Sequence, residues 1–216
     1  METTHSKNSG EERFDVAKIF RRETWCIGES AFAVLLLLIG TSMLDGFYGS
    51  YYNLNQLVFD AFDAPVSIIG IFFGASYAVN ATAYIAADFF SSRFGKRNTM
   101  LGSMLIEAGL FMILPWFASN PPCLFGLSMV LCFLPEVVYI TSENLIQDAI
   151  ADDLRATILS VASLVRALFS AMFFSIFGYV LGLYPIQIAL GIIGAISIAI
   201  TAVVSLKMVG IHVSKN

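Results

Sequence analysis

Four ionisable residues, Asp45, Glu107, Glu136 and Arg166, stand inside long apolar stretches of this 216-residue chain. On insertion scales an Asp, Lys or Arg at the centre of a membrane span costs about 2.5–3.5 kcal/mol, so such a residue must face protein or water. Asp45-Gly-Phe-Tyr48 and Glu136-Val-Val-Tyr139 repeat one arrangement, a carboxylate three residues before a tyrosine. That spacing puts acid and phenol on the same helix face. Arg166 lies eleven residues past Arg155, about 16 Å along a helix, which is too deep to reach water easily. It needs a carboxylate, and Glu136 is the expected partner. Pro135, just before it, frees a backbone carbonyl and should bend the helix. This chemistry suits a polar path through lipid for a small solute or a proton.

The elements that hold these groups follow from composition. The chain is 57% hydrophobic and 13% charged, with a mean hydropathy of +0.78. A soluble domain carries about 25% charged residues, so lipid is the expected solvent. A net charge of −4 with no basic face gives no nucleic-acid partner. Cys26, Cys123 and Cys132 are widely spaced and read as small apolar residues, while His5 and His212 stand at opposite ends. No metal or cofactor set follows from them. The first 30 residues are polar and mixed in charge, unlike a signal peptide, and read as a cytoplasmic lead-in.

Six segments approach the roughly 20 apolar residues a span needs: 31–51, 66–89, 99–117, 123–141, 157–183 and 186–206. The SNPP run at 119–122 divides the third from the fourth. Six spans put both termini on one side with the 2–3 and 4–5 connections. That side collects eleven of the 12 Lys and Arg residues, and the other side none. The twelfth is Arg166. The expected topology has both termini cytoplasmic, with a membrane domain over 31–207 and a tail over 208–216. The expected location is the cell membrane.

The 2–3 connection, SSRFGKRNTM at 91–100, gathers Arg93, Lys96 and Arg97 around Gly95. A positive stop between spans explains the charge, and Gly95 permits a tight turn with positive φ. Arg93-Phe94-Gly95-Lys96-Arg97 also resembles the core of the loop motif of major facilitator superfamily transporters, between the second and third helices of each six-helix half. The match departs at Ser92, where the family has its Asp. Asp88, one turn upstream, is the candidate substitute. The stretch IQDAIADDLRATILSVASL at 146–164 is similar to the junction entering the eleventh helix of such transporters, with Arg155-Ala156-Thr157 after Asp152 and Asp153. An Arg-Gly pair expected on the fourth helix of an amino-terminal half is absent. The chain therefore resembles a carboxy-terminal half from about residue 31 onward.

That resemblance implies an all-α membrane protein of six transmembrane helices, built as two inverted three-helix repeats. It implies alternating access, with Asp45, Tyr48, Glu136, Tyr139 and Arg166 on the substrate or proton path. It makes Asp88, Arg93, Gly95, Lys96, Arg97, Asp152, Asp153 and Arg155 a cytoplasmic gate, with Arg93 or Arg97 pairing with Asp152 or Asp153. Helix three would be peripheral and Glu107 a structural hydrogen-bonding group. Gly191, Gly194 and Ala195 would form a packing seam on helix six. Six helices supply one wall of a path, so a second six-helix half, from another chain or another copy, is the expected partner. Tyr51 and Tyr52 suit either a headgroup belt or the path. The rival expectation is a non-transporting membrane partner or a truncated, inactive fragment. An aquaporin-type pore lacks its paired Asn-Pro-Ala segments, and no enzyme motif is present.

Overall fold

The computed structural model describes residues 31–117, 119–150 and 155–209. The lead-in, the tail beyond 209, and Asp152 and Asp153 lie outside the described residues. Within them every element is helical: α1 Ala31–Asn53, α2 Asn55–Ala61, α3 Val66–Phe94, α4 Lys96–Phe117, α5 Pro121–Asp148, α6 Arg155–Leu183 and α7 Ile186–Val209. Five of these, α3 to α7, are long and apolar enough to cross a membrane. The chain is an all-α, multi-pass membrane protein. The first predicted span is a helix of 23 residues. From Leu35 onward it is diluted by Thr41, Ser42, Asp45 and the tyrosine-rich end at 48–52.

Several helices outrun their apolar stretches. Hydropathy marks where lipid begins, whereas backbone hydrogen bonding carries a helix on into the polar residues beyond. The fourth apolar stretch stops at Thr141, yet α5 continues to Asp148. Its start is built by the same SNPP run that ends the helix before. The Asn120 side chain accepts a hydrogen bond from the Cys123 N–H at 3.4 Å, and the two prolines occupy first-turn positions that need no amide hydrogen. The connection after α1 folds into α2, which buries Val58 and Phe59.

The long helices pack in a definite set of pairs: α1 with α5, α6 and α7; α4 with α3, α5 and α7; α3 with α5; and, more lightly, α6 with α7. Small residues set the closest crossings. A Cβ on Gly46 would lie 2.8 Å from the Phe173 ring and 3.0 Å from the Phe169 backbone, so glycine is what lets α1 meet α6. A Cβ on Gly194 would lie 2.8 Å from the Met112 backbone nitrogen, so glycine also permits the close α4–α7 crossing, and Gly40 is pressed against Val204. The seam is narrower than the sequence implies, since Gly191 has open space around it and Ala195 is exposed.

Beside a small cluster of Ala83, Ala87 and Val137 between α3 and α5, two larger apolar clusters are stacked along the bundle. One is aromatic, with Phe47, Tyr51, Phe59, Phe72, Phe111 and Phe173. The other is aliphatic, with Leu37, Leu44, Met100, Met104, Val138 and Ile146. The change from one to the other comes between Leu44 and Phe47 on α1, Met104 and Phe111 on α4, Cys132 and Val138 on α5, and Ala162 and Phe173 on α6. Asp45, Glu107, Glu136 and Arg166 occupy these four intervals. The ionisable residues thus form a polar layer between two apolar ones.

Candidate functional site

Arg166 is the centre of that layer. Only 13% of its side chain is exposed, and its Nε lies 3.8 Å from Asp45 Oδ2 on α1. Its Nη1 lies 3.6 Å from Glu143 Oε1 on α5. The guanidinium carbon stands 4.2 Å from the centroid of the Tyr139 ring, a cation–π geometry. Both ion pairs are longer than hydrogen bonds, so the arginine is held by Coulomb attraction from two helices and by an aromatic face. A planar, weakly hydrated guanidinium suits such a place better than an ammonium would.

The expected pairing with Glu136 is not formed; Asp45 and Glu143 hold the arginine instead. The reason is the length of α5. Glu136, Tyr139 and Glu143 are spaced i, i+3 and i+7, so they share one stripe of that helix. Arg166 meets the stripe at its far end. Sequence reasoning missed Glu143 because it ended the span at Thr141, and the i+7 spacing from Glu136 was the signal that points to it.

A small cavity of about 10 Å³ adjoins the cluster, lined by Thr41, Asp45, Glu107, Tyr139, Ser142 and Arg166 among others. That volume suits about one water molecule. Glu107 enters this cavity from α4. That helix packs against α3, α5 and α7. Glu107 is 1% exposed, and the structural hydrogen bond expected of it is not made, because both carboxylate oxygens lack a partner.

The tyrosines of α1 separate into different roles. Tyr48 is buried within the bundle, with its ring 6.0 Å from that of Tyr52. Tyr51 is fully buried, and its hydroxyl lies 2.6 Å from Ser128 Oγ on α5. The Tyr52 hydroxyl lies 3.2 Å from Ser76 Oγ on α3. Tyr51 and Tyr52 therefore tie α1 to its neighbours.

At the α3–α4 corner a single residue separates the two helices. Gly95 has φ of 83°, a left-handed conformation that a side chain would strain, and its N–H donates to the Ser91 carbonyl. The turn is the one the glycine's position predicts. Lys96 reaches across to Asp148 at the end of α5, with Nζ–Oδ2 of 2.6 Å. Arg93 is exposed and lies 5.9 Å from the Phe94 ring centroid. Asp88 is exposed on α3, and Arg155 opens α6. The expected partners Asp152 and Asp153 lie outside the described residues; within them, the corner's contact to α5 runs through Lys96 and Asp148.

Among the described residues no group of three or more Asp, Glu, His or Cys side chains is placed to hold a metal ion. Cys123 and Cys132 are unpaired. No protein-family model matches the chain, and a search of curated proteins finds none that matches it.

Proposed function

We propose that this chain is a six-helix half of a secondary transporter of the major facilitator type, moving a small solute by alternating access with proton coupling. The carrying observation is the polar layer, in which Arg166 is shared by Asp45 and Glu143 between two apolar clusters. Charge in lipid is expensive, and an arginine at this depth is spent on a path. In this reading Asp45, Tyr139, Glu143 and Arg166 line the path. Glu136 and Tyr48 stand beside it.

The helix pairs support the inverted repeat. Exchanging α1 with α5, α3 with α6, and α4 with α7 turns the pair α1–α6 into α5–α3. It turns α4–α5 into α7–α1 and α3–α4 into α6–α7, and it leaves α4–α7 and α1–α5 unchanged. All eight of these pairs occur. Two three-helix units in equivalent roles would pack in this way. The six spans then include α1. The excess of Lys and Arg on one side argues for cytoplasmic termini in the cell membrane. Lys96–Asp148 takes the part of the gating contact at the cytoplasmic rim.

A cavity for about one water is too small for a solute. In this reading the binding site is completed by a second six-helix half. The same observation favours a second reading, in which the chain is a non-transporting membrane partner. Reconstituting the full chain in vesicles under an imposed pH gradient separates the two. We expect one member of a panel of sugars, amino acids, organic anions and organic cations to discharge the gradient, and Arg166→Gln to abolish that flux. A folded, assembled chain that moves none of them would favour the non-transporting reading.

A further inference from the structure

Glu107 is the one fully buried ionisable residue of the polar layer, and the proposed path does not use it. It is 1% exposed, and neither carboxylate oxygen has a hydrogen-bond partner. An ionised carboxylate in that position would cost several kcal/mol without compensation. The surroundings supply no cation to it directly. On α7 the stretch Ile186–Leu206 contains no titratable side chain and offers Ser197 and Thr201. On α3 the titratable side chains, Tyr77, Tyr84, Asp88 and Arg93, are all exposed. On α5 Tyr139 lines the same cavity, with half-buried Glu136 one turn before it and Glu143 one turn after. Across the cavity stand Asp45 of α1 and Arg166 of α6, and Arg166 is already engaged by Asp45 and Glu143. The nearest compensation for Glu107 is a proton or the single water that the cavity can hold.

We propose that Glu107 is a proton-carrying residue, which exchanges a proton with Asp45 through one water in the cavity they share. The O–H bond of the Glu107 carboxyl breaks as its proton passes to the water oxygen, and a different proton of that water forms an O–H bond with Asp45. One positive charge moves, and no electrons are gained or lost. The consequence reaches the ion pairs. Protonated Asp45 no longer attracts Arg166 as an anion, so the arginine is left to Glu143 and Tyr139 on α5. A proton delivered from α4 thereby weakens the link between α1 and α6 and leaves the α5–α6 link intact. The purpose of such a switch rests on the carrier reading; the occurrence of the exchangeable proton does not.

The infrared spectrum of the full chain in lipid nanodiscs tests this without any solute. We expect a C=O stretch from a protonated carboxyl group that shifts in D2O and disappears in Glu107→Gln. Asp45→Asn should move the pH at which that band is lost. Should Glu107→Gln fail to fold, Glu107→Asp should keep a protonated-carboxyl band at an altered frequency. A band that survives Glu107→Gln, does not shift in D2O, or keeps its pH dependence in Asp45→Asn overturns the proposal, as does an unaltered frequency in Glu107→Asp. Solute flux enters none of these readings, so the carrier proposal and this one fail separately.

Discussion

The two apolar clusters on either side of the polar layer are built from different material. The aromatic one is organised by ring geometry: Phe47 stacks on Phe173 at 4.0 Å, Tyr51 meets Phe111 edge-on at 5.3 Å, and Phe59 tilts against Phe72 at 5.1 Å. The aliphatic one relies on leucines, Met100 and Met104. Aromatic pairs have preferred orientations, whereas a methionine has three rotatable bonds and fills whatever gap it is offered. The polar layer therefore lies between a cluster with one good packing and a cluster that can repack. If one end of the bundle yields first, it is the aliphatic end, next to the Gly95 corner.

Truncations in the two clusters should break or confirm that contrast. In lipid the transfer part of a large-to-small penalty shrinks, because acyl chains are as apolar as the core, and the cavity part remains. Phe72→Ala should cost about 3 kcal/mol, at the low end of the range for phenylalanine. Met104→Ala should cost about 2 kcal/mol, with neighbouring side chains collapsing into the gap. Unfolding in mixed detergent micelles measures both. Equal losses would mean that the clusters are equally rigid.

A smaller effect comes from the hydroxyl that pins the aromatic end. Tyr51→Phe keeps the ring and removes the bond to Ser128, for a loss of about 1 kcal/mol. Ser128→Ala in the same chain should add little further, because the two substitutions remove one interaction. The smallest effect belongs to the corner below the aliphatic end. Lys96 and Asp148 are 39% and 59% exposed, so Lys96→Ala should change stability by less than about 1 kcal/mol. A loss much larger than that would make the corner a structural clamp, and the aliphatic end would then be the fixed one.

Much of the architecture was legible residue by residue. All six apolar stretches became helices at the expected places, five of them long and apolar enough to cross a membrane among the described residues, and Gly95 took the positive φ that its position between two helices predicts. Arg166 did require carboxylates. Its partners were misassigned because a span boundary drawn from hydropathy excluded Glu143, although the helix carries on to Asp148. Glu107 was placed at the periphery by family analogy, and no local pattern in α4 contradicts that. Its burial follows from α4 packing against both α5 and α7, which is a property of the assembled bundle.

The sequence by itself determined the class of solvent, the helical spans, the turn at Gly95 and the presence of ionisable residues that lipid would not tolerate alone. These depend on composition and on spacing along one helix, where 3.6 residues per turn and the cost of buried charge are sufficient arguments. The tertiary structure decided which helices touch, and with that the sharing of Arg166 by Asp45 and Glu143 and the delivery of Glu107 to the same cavity. Those outcomes depend on the rotation of each helix about its own axis. That rotation is set by close crossings such as Gly46 on Phe169 and Gly194 on Met112, and no single helix contains the information.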